Sequence, residues 1–401
     1  MRQGYRVIDM DTHVNPTLDV LLHYGDKALQ DQKDELKPYT RVIKPRQGRG
    51  ESEDEEQVSM LIIKPIRYNR IAGEKPTPPE SAGGANDLAG RTVMSTRKTV
   101  EAGVLDYNSQ GRLRDMDIEG RDIDFIIPGT WSYGAAELER DLARGFIQSY
   151  HRYMAEYCSA DSRRLKSMVL APANDPEWAA QVIREHAKED WVSAMWPVLP
   201  EGLPVDDPDL EPIWQAASEA DLPIMFHSFY VEPPYFPGYR DVWDNSAMGR
   251  TAGQTWGAQR FLSFIMMGGV LDRYPNLRIG LLESGHGWLP HWLLRLGRQI
   301  EYVQGSAPHI KRSPMEYAQE GRIFCGIDYS EGLAMTKAVR DVLGDDVLMF
   351  QSDYPHPETI FPDHTDAVLG WKETLGETAT QKLMWENGSR FLRLTSTPWN
   401  D

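Results

Sequence analysis

Short apolar runs that end on polar residues recur along this chain from one end to the other. Residues 6–11, 122–128, 165–170, 191–196, 223–227, 277–283, 323–328 and 347–353 each have the length and composition of a buried strand. Between most of them lie stretches of helical period, such as 178–188 and 208–220. Eight strands alternating with helices predict parallel β/α architecture, and eight is the count that closes a barrel. A doubly wound open sheet fits the alternation as well. No glycine-rich phosphate loop follows the first strand, which counts against its dinucleotide-binding form. The expected fold is a (β/α)8 TIM barrel in a single domain over residues 1–401, with 16–115 as a long, partly irregular insertion after the first strand.

That insertion breaks the regular spacing. It carries the acidic run Glu51-Ser52-Glu53-Asp54-Glu55-Glu56 and Pro- and Gly-rich text at about 75–90. The acidic run reads as a solvated surface stretch. Loops after barrel strands lie on the catalytic face, so the insertion has two readings: a cover for the active site, or surface decoration and subunit contact.

Composition narrows the function. With 41% hydrophobic residues the 401-residue chain has ample material for a large core. A net charge of −17 argues against nucleic acid, since phosphate neutralisation needs clustered Lys and Arg. Only Cys158 and Cys325 occur, too few for a disulfide framework or a Cys-rich zinc site. No apolar run is long enough to span a membrane, and the N-terminus does not read as a signal peptide. A cytoplasmic enzyme acting on a small molecule is expected.

The candidate chemistry lies where the strands end. The first strand runs into Asp9-Met10-Asp11-Thr12-His13, where alternation places Asp9, Asp11 and His13 on one side. The fifth strand ends at His227, the sixth at Glu283 and the eighth at Asp353. Four strands therefore deliver imidazole or carboxylate to one rim. Several charges buried together are costly without a cation, so the set reads as a site for Zn²⁺, Mn²⁺ or Fe²⁺. Such an ion lowers the pKa of bound water and polarises a substrate oxygen, and Asp353 is placed to ligate it, to take a proton, or both. Arg112 and Arg114 precede the second strand, where an arginine can grip a substrate carboxylate or serve the surface. Trp131 reads as pocket lining or packing, Cys325 as a core residue, and Asp328 and Glu331 as candidates to face the site.

These residues resemble the amidohydrolase superfamily. The resemblance rests on Val-Ile-Asp-Met-Asp-Thr-His-Val in the first strand, Met-Phe-His at 225–227, Glu-Ser-Gly-His-Gly-Trp-Leu-Pro at 283–290, Gln-Ser-Asp-Tyr-Pro-His-Pro at 351–357 and the closing Trp-Glu-Asn-Gly-Ser-Arg-Phe-Leu at 385–392. The branch it is most similar to is that of aminocarboxymuconate semialdehyde decarboxylase and the resorcylate and carboxyvanillate decarboxylases. The resemblance implies Asp11, His13, His227 and Asp353 as metal ligands. The pattern here is Asp-x-His where many members have His-x-His, and Glu283-Ser284 stands where the decarboxylases place a catalytic His. Glu283 is then the first candidate for proton transfer and His286 the second. No Lys ends the fourth strand, which favours one metal ion over two.

The leading expectation is a metal-dependent hydrolase or decarboxylase acting on a small carboxylated organic molecule, with one Zn, Mn or Fe ion. The first alternative uses Glu283, His286 and His356 as ligands of a second ion, in a dinuclear Mn/Fe oxygenase like 2-aminoisobutyrate hydroxylase. His356 otherwise hydrogen-bonds within its own turn. The second alternative is a catalytically silent metal-binding subunit. The expected assembly is a homo-oligomer, or a hetero-oligomer with a homologous subunit.

Overall fold

The computed structural model describes residues 1–43, 58–61, 108–200, 202–227, 246–303, 305–356 and 359–394. Eight parallel strands form one sheet: β1 (Ile8–Val14), β4 (Ile123–Pro128), β5 (Leu165–Pro172), β6 (Val192–Val198), β7 (Ile224–His227), β8 (Ile279–Leu282), β9 (Ile323–Gly326) and β10 (Leu348–Met349). Their spatial order follows the chain, and the ends meet. The Met10 amide donates to the Phe350 carbonyl, and the His13 amide to that of Tyr354. This is the predicted (β/α)8 barrel, with a strand at each of the eight predicted places. Every residue of β1, β4 and β6 is buried. Helices cover the outer face while side chains fill the interior, which is why the strands read as continuous apolar runs rather than alternating ones.

Two of the predicted helices are present with small shifts, at Pro176–His186 and, after a 3₁₀ turn at Pro208–Leu210, at Glu211–Ala220. The insertion holds more regular structure than its sequence suggests. Short helical turns run through Leu18–His23, Lys27–Asp31 and Lys33–Tyr39, followed by an antiparallel pair, β2 (Thr40–Ile43) and β3 (Val58–Leu61). The helix leading into β4 already begins at Ser109 and extends to Glu119. Asn108 caps it by accepting from the Gly111 amide, and Gly120 ends it in the left-handed region at φ +82°. Leu29 packs on the Arg140–Cys158 helix, where Ser149 donates to the Leu21 carbonyl. The acidic run and the Pro- and Gly-rich text lie outside the described residues.

Close packing at the outer face sets one local requirement. A Cβ on Gly280, in the middle of β8, would stand 2.5 Å from Cζ of Phe391, itself fully buried in the closing helix Asn387–Leu392. Gly280→Ala is therefore expected to cost about 1–3 kcal/mol of stability through overpacking. A urea melt reads this as a lower midpoint at unchanged slope; an unchanged midpoint would mean that Phe391 gives way freely.

Candidate metal centre

The carboxyl ends of β1, β7, β8 and β10 bring five candidate residues together. Asp11 and His13 are both buried, with Nε2 of His13 3.1 Å from Oδ1 of Asp11 and 3.0 Å from Oδ1 of Asp353. His227 ends β7 and sets its Nε2 3.3 Å from the same Asp11 oxygen and 3.2 Å from Oε2 of Glu283. Ligand-type atoms of Asp11, His13 and His227 lie within 4.8 Å of one another, as do those of His13, Asp353 and His356.

Backbone strain accompanies this convergence. Glu283 and Asp353 follow β8 and β10 with φ of +45° and +61°, a region that side-chain-bearing residues seldom occupy. Each such residue costs on the order of 1–3 kcal/mol and persists where surrounding structure enforces it, commonly at functional sites. β10 is shorter than predicted because, directly after Met349, the Phe350 amide donates to the Leu383 carbonyl instead of to a neighbouring strand.

The donor set suits a divalent cation. Burial opposes charge on every member, and neighbouring charges overcome it at Asp11, His13 and Asp353 but not at His227 or Glu283. Burial works against the Asp11 carboxylate, but His227 and His13 hold its pKa below the ordinary range. Asp353 is held low in the same way, by His356 and His13. Burial also disfavours the His13 imidazolium, but the carboxylates of Asp11 and Asp353 close to its Nε2 raise its pKa to about 10. His227 is pushed down by burial, with Asp11 pulling the other way. Burial, reinforced by the charges of Asp353 and Asp11, drives Glu283 well above the carboxylate range. Both Asp11 oxygens and both His13 ring nitrogens lack hydrogen-bond geometry to any partner among the described residues. Buried polar atoms are rarely left so, and a metal ion at their focus would satisfy them.

The other predicted residues separate into two groups. His356 stacks on His13 at 4.2 Å between ring centroids and pairs through Nδ1 with Oδ1 of Asp353 at 2.7 Å, so it touches the cluster through Asp353. His286 is not brought into it. Its Nδ1 accepts from the Asp328 amide at 3.1 Å and its Nε2 lies 3.0 Å from the Thr336 hydroxyl, on the helix Gly332–Leu343. Asp328 and Glu331 do line the cleft, and Glu331 also accepts from the amides of His286 and Gly287. Trp131 is buried against Tyr150, Cys325 is buried with its thiol pushed up by burial, and Arg114 is exposed. Arg112 is fully buried and donates to Thr12, Asp124 and the His13 carbonyl, so it takes no substrate. Asp9 turns to another cluster, beside a register shift in β1 between Asp9 and Thr12.

The cleft lined by Glu283, Asp328, Glu331 and Asp353 has a volume of about 1330 Å³, counting space open to solvent. Among its residues that no sequence motif marked, Arg250 and Gln254 lie against Glu283. They sit in a π-helical turn, Gly249–Gln254, after β7. Gln254 donates to Oε1 of Glu283 at 2.8 Å, and Arg250 reaches the same oxygen at 3.8 Å. No strand end marks them, and a π-helical turn has no apolar period of its own; such turns are frequent at functional sites. No described part of the 16–115 insertion lines the cleft.

A barrel with carboxylate and imidazole donors at the carboxyl ends of its strands defines a metal-dependent enzyme. The amidohydrolase family model matches residues 116–394, and the chain belongs to that family. Asp11 and His13 precede the matched stretch. Among curated proteins the chain is 25% identical over 291 residues to gamma-resorcylate decarboxylase of Rhodococcus jostii, covering 67% of this chain and 84% of that one. It is 23% identical over 201 residues to the decarboxylase orsB of Emericella nidulans, covering 49% and 60%. Among solved structures, 5-carboxyvanillate decarboxylase of Novosphingobium aromaticivorans, with bound manganese, superposes with a TM-score of 0.66 at 19% identity over 98% of each chain. A manganese-bound dihydroxybenzoic acid decarboxylase from a Polaromonas species superposes at 0.61 and 19% identity, covering 77% and 93%. The chain is thus an amidohydrolase-family enzyme with candidate ligand groups for a metal ion. The dinuclear oxygenase and silent-subunit readings gain no support. Among the described residues, no helix is long and apolar enough to cross a membrane.

Proposed function

We propose that this protein is a decarboxylase of a small hydroxylated aromatic acid, with one divalent ion held by Asp11, His13, His227 and Asp353 and the proton delivered by Glu283. The observation that carries the reading is the contact between Glu283 and His227, which sets an acidic group of the cleft wall directly beside one of the four donors. The decarboxylase relatives and the manganese in the solved neighbours support the same chemistry. Bound there, the ion supplies Lewis-acid polarisation of a substrate oxygen.

The chain's own residues carry the rest. Gln254 holds Oε1 of Glu283, leaving the Oε2 side toward the donors. From Glu283 a proton passes to the ring carbon that bears the carboxylate, and ring π electrons form the new C–H bond. The C–C bond then breaks, its electrons restore the aromatic ring, and CO₂ leaves; solvent reprotonates Glu283. His286, bonded on both ring nitrogens away from the donors, takes no part. His356 orients Asp353 rather than holding a second ion.

Elemental analysis and CO₂ release test this together, with 2,6-dihydroxybenzoate and 5-carboxyvanillate as probes. About one equivalent of metal per chain with CO₂ released from either acid is the expected result. A metal-loaded protein that hydrolyses amides or esters and releases no CO₂ overturns it. Arg250, at the cleft edge beside Glu283, is suited to take the substrate carboxylate through charge-assisted hydrogen bonds. Arg250→Gln is expected to raise KM about 10–100-fold with a smaller change in kcat, because hydrogen bonds to charged groups contribute roughly 1.5–3 kcal/mol. An unchanged KM would remove Arg250 from substrate binding.

The rest of the reading is a single-domain protein of residues 1–401, in which 16–115 is an insertion. The cytoplasm is its proposed location, supported by two free, buried thiols at Cys158 and Cys325. Its proposed assembly is an oligomer with itself or a homologous subunit, supported by exposed apolar residues such as Leu294 and Phe264 on neighbouring helices.

A further inference from the structure

Outside the cleft lining, six charged side chains are buried together: Asp9, Arg112, Asp115, Glu119, Arg121 and Asp124. Arg112 pairs with Asp124 at 2.9 Å, while Arg121 meets Asp9 and Asp124 at 3.2 Å and Glu119 at 3.1 Å. Such a network is poor value as a source of stability. Desolvation consumes most of the Coulomb gain, and well-packed apolar residues of the same volume often do as well or better. The contacts it makes suggest another use.

Those contacts fall on the two segments that carry Asp353 and His13. Asp9 accepts from the amide and the hydroxyl of Ser352, immediately before Asp353. Immediately after it, the Tyr354 ring lies under both arginines, 4.3 Å from the Arg121 guanidinium and 5.1 Å from that of Arg112. Its hydroxyl donates to Oδ2 of Asp115 at 2.6 Å. Across the barrel seam, Arg112 donates to the Thr12 hydroxyl and the His13 carbonyl, and the His13 amide donates to the Tyr354 carbonyl. Asp353 is therefore clamped on both sides while its own backbone is in the left-handed region. A residue in that conformation needs a frame to hold it.

We infer that Tyr354, fixed by Asp115 and by the Arg112–Arg121 pair, is a positioning residue that sets the metal affinity of the site by fixing Asp353 and His13 from behind. The inference rests on the reading above in which those two residues are ligands. Outer contacts of this kind orient the groups that touch the metal, and their loss typically weakens metal binding about 10–100-fold.

The test is titration of Mn²⁺ into the metal-stripped full-length protein, with free Mn²⁺ followed by electron paramagnetic resonance and the fold by circular dichroism. Tyr354→Phe and Asp115→Leu delete the same hydrogen bond from its two ends, so whichever variant folds carries the test. Either is expected to keep the stoichiometry and secondary structure of the wild type while binding Mn²⁺ about 10–100-fold more weakly. Asp115→Asn, which keeps an oxygen acceptor for the phenol, is expected to restore most of the affinity. A folded Tyr354→Phe or Asp115→Leu protein that binds Mn²⁺ as tightly as the wild type overturns the inference. Asp353→Asn in the same titration separates the two claims: if that protein binds normally, the ligand assignment itself has failed.

Discussion

Replacing Asp353 by Asn is expected to strip the protein of its metal and of nearly all its activity. Asp353 touches both clusters of candidate donors, standing 3.0 Å from His13 Nε2 and 2.7 Å from His356 Nδ1. The amide keeps the volume but loses the negative charge and turns one oxygen into a donor. Loss of an outer contact alone costs about 10–100-fold in metal affinity, so loss of an inner carboxylate is expected to cost at least ~100-fold. Elemental analysis after purification without added metal should find wild-type protein loaded and the variant nearly empty. A chelator should abolish wild-type turnover, and Mn²⁺ or Zn²⁺ should restore it; the same addition should leave the variant inactive. A variant that keeps its metal through dialysis would remove Asp353 from the coordination sphere.

The second large effect is expected at Glu283. Glu283→Gln preserves size and can still bond Gln254, but it has no acidic proton to give. General acid catalysis typically contributes 10²–10⁴-fold, and kcat is expected to fall by about that factor. Metal content should remain that of the wild type, because Glu283 reaches the cluster through His227 rather than standing among its four donors. The contrast with Asp353 is the informative part: one substitution empties the site, the other leaves it filled and slow. A fall in kcat of less than about tenfold would shift the proton to another group, and a fall in metal content would make Glu283 a ligand. Asp328 and Glu331 are the other acidic groups in the cleft at which to look next.

Much of this protein was legible before folding. The order and places of the eight strands follow from apolar runs that must be buried on both faces, a local property of short segments. Asp11, His13, His227, Glu283 and Asp353 were legible because each ends such a run with a polar group, and parallel strands in a barrel put those ends on one rim. The sequence by itself therefore determined the architecture and which polar groups reach the candidate site. Tertiary structure alone decided which candidates meet. Asp9 and Arg112, read from the chain as pointing toward the site or its substrate, belong to the buried frame behind it. His286, three residues after Glu283 in the same motif, faces the neighbouring helix. Arg250 and Gln254 enter the cleft from a π-helical turn that no strand pattern announces. The physical reason is the same in each case: burial is encoded locally by polarity and period, whereas the pairing of charges depends on which distant segments converge, and only the closed barrel brings them within reach.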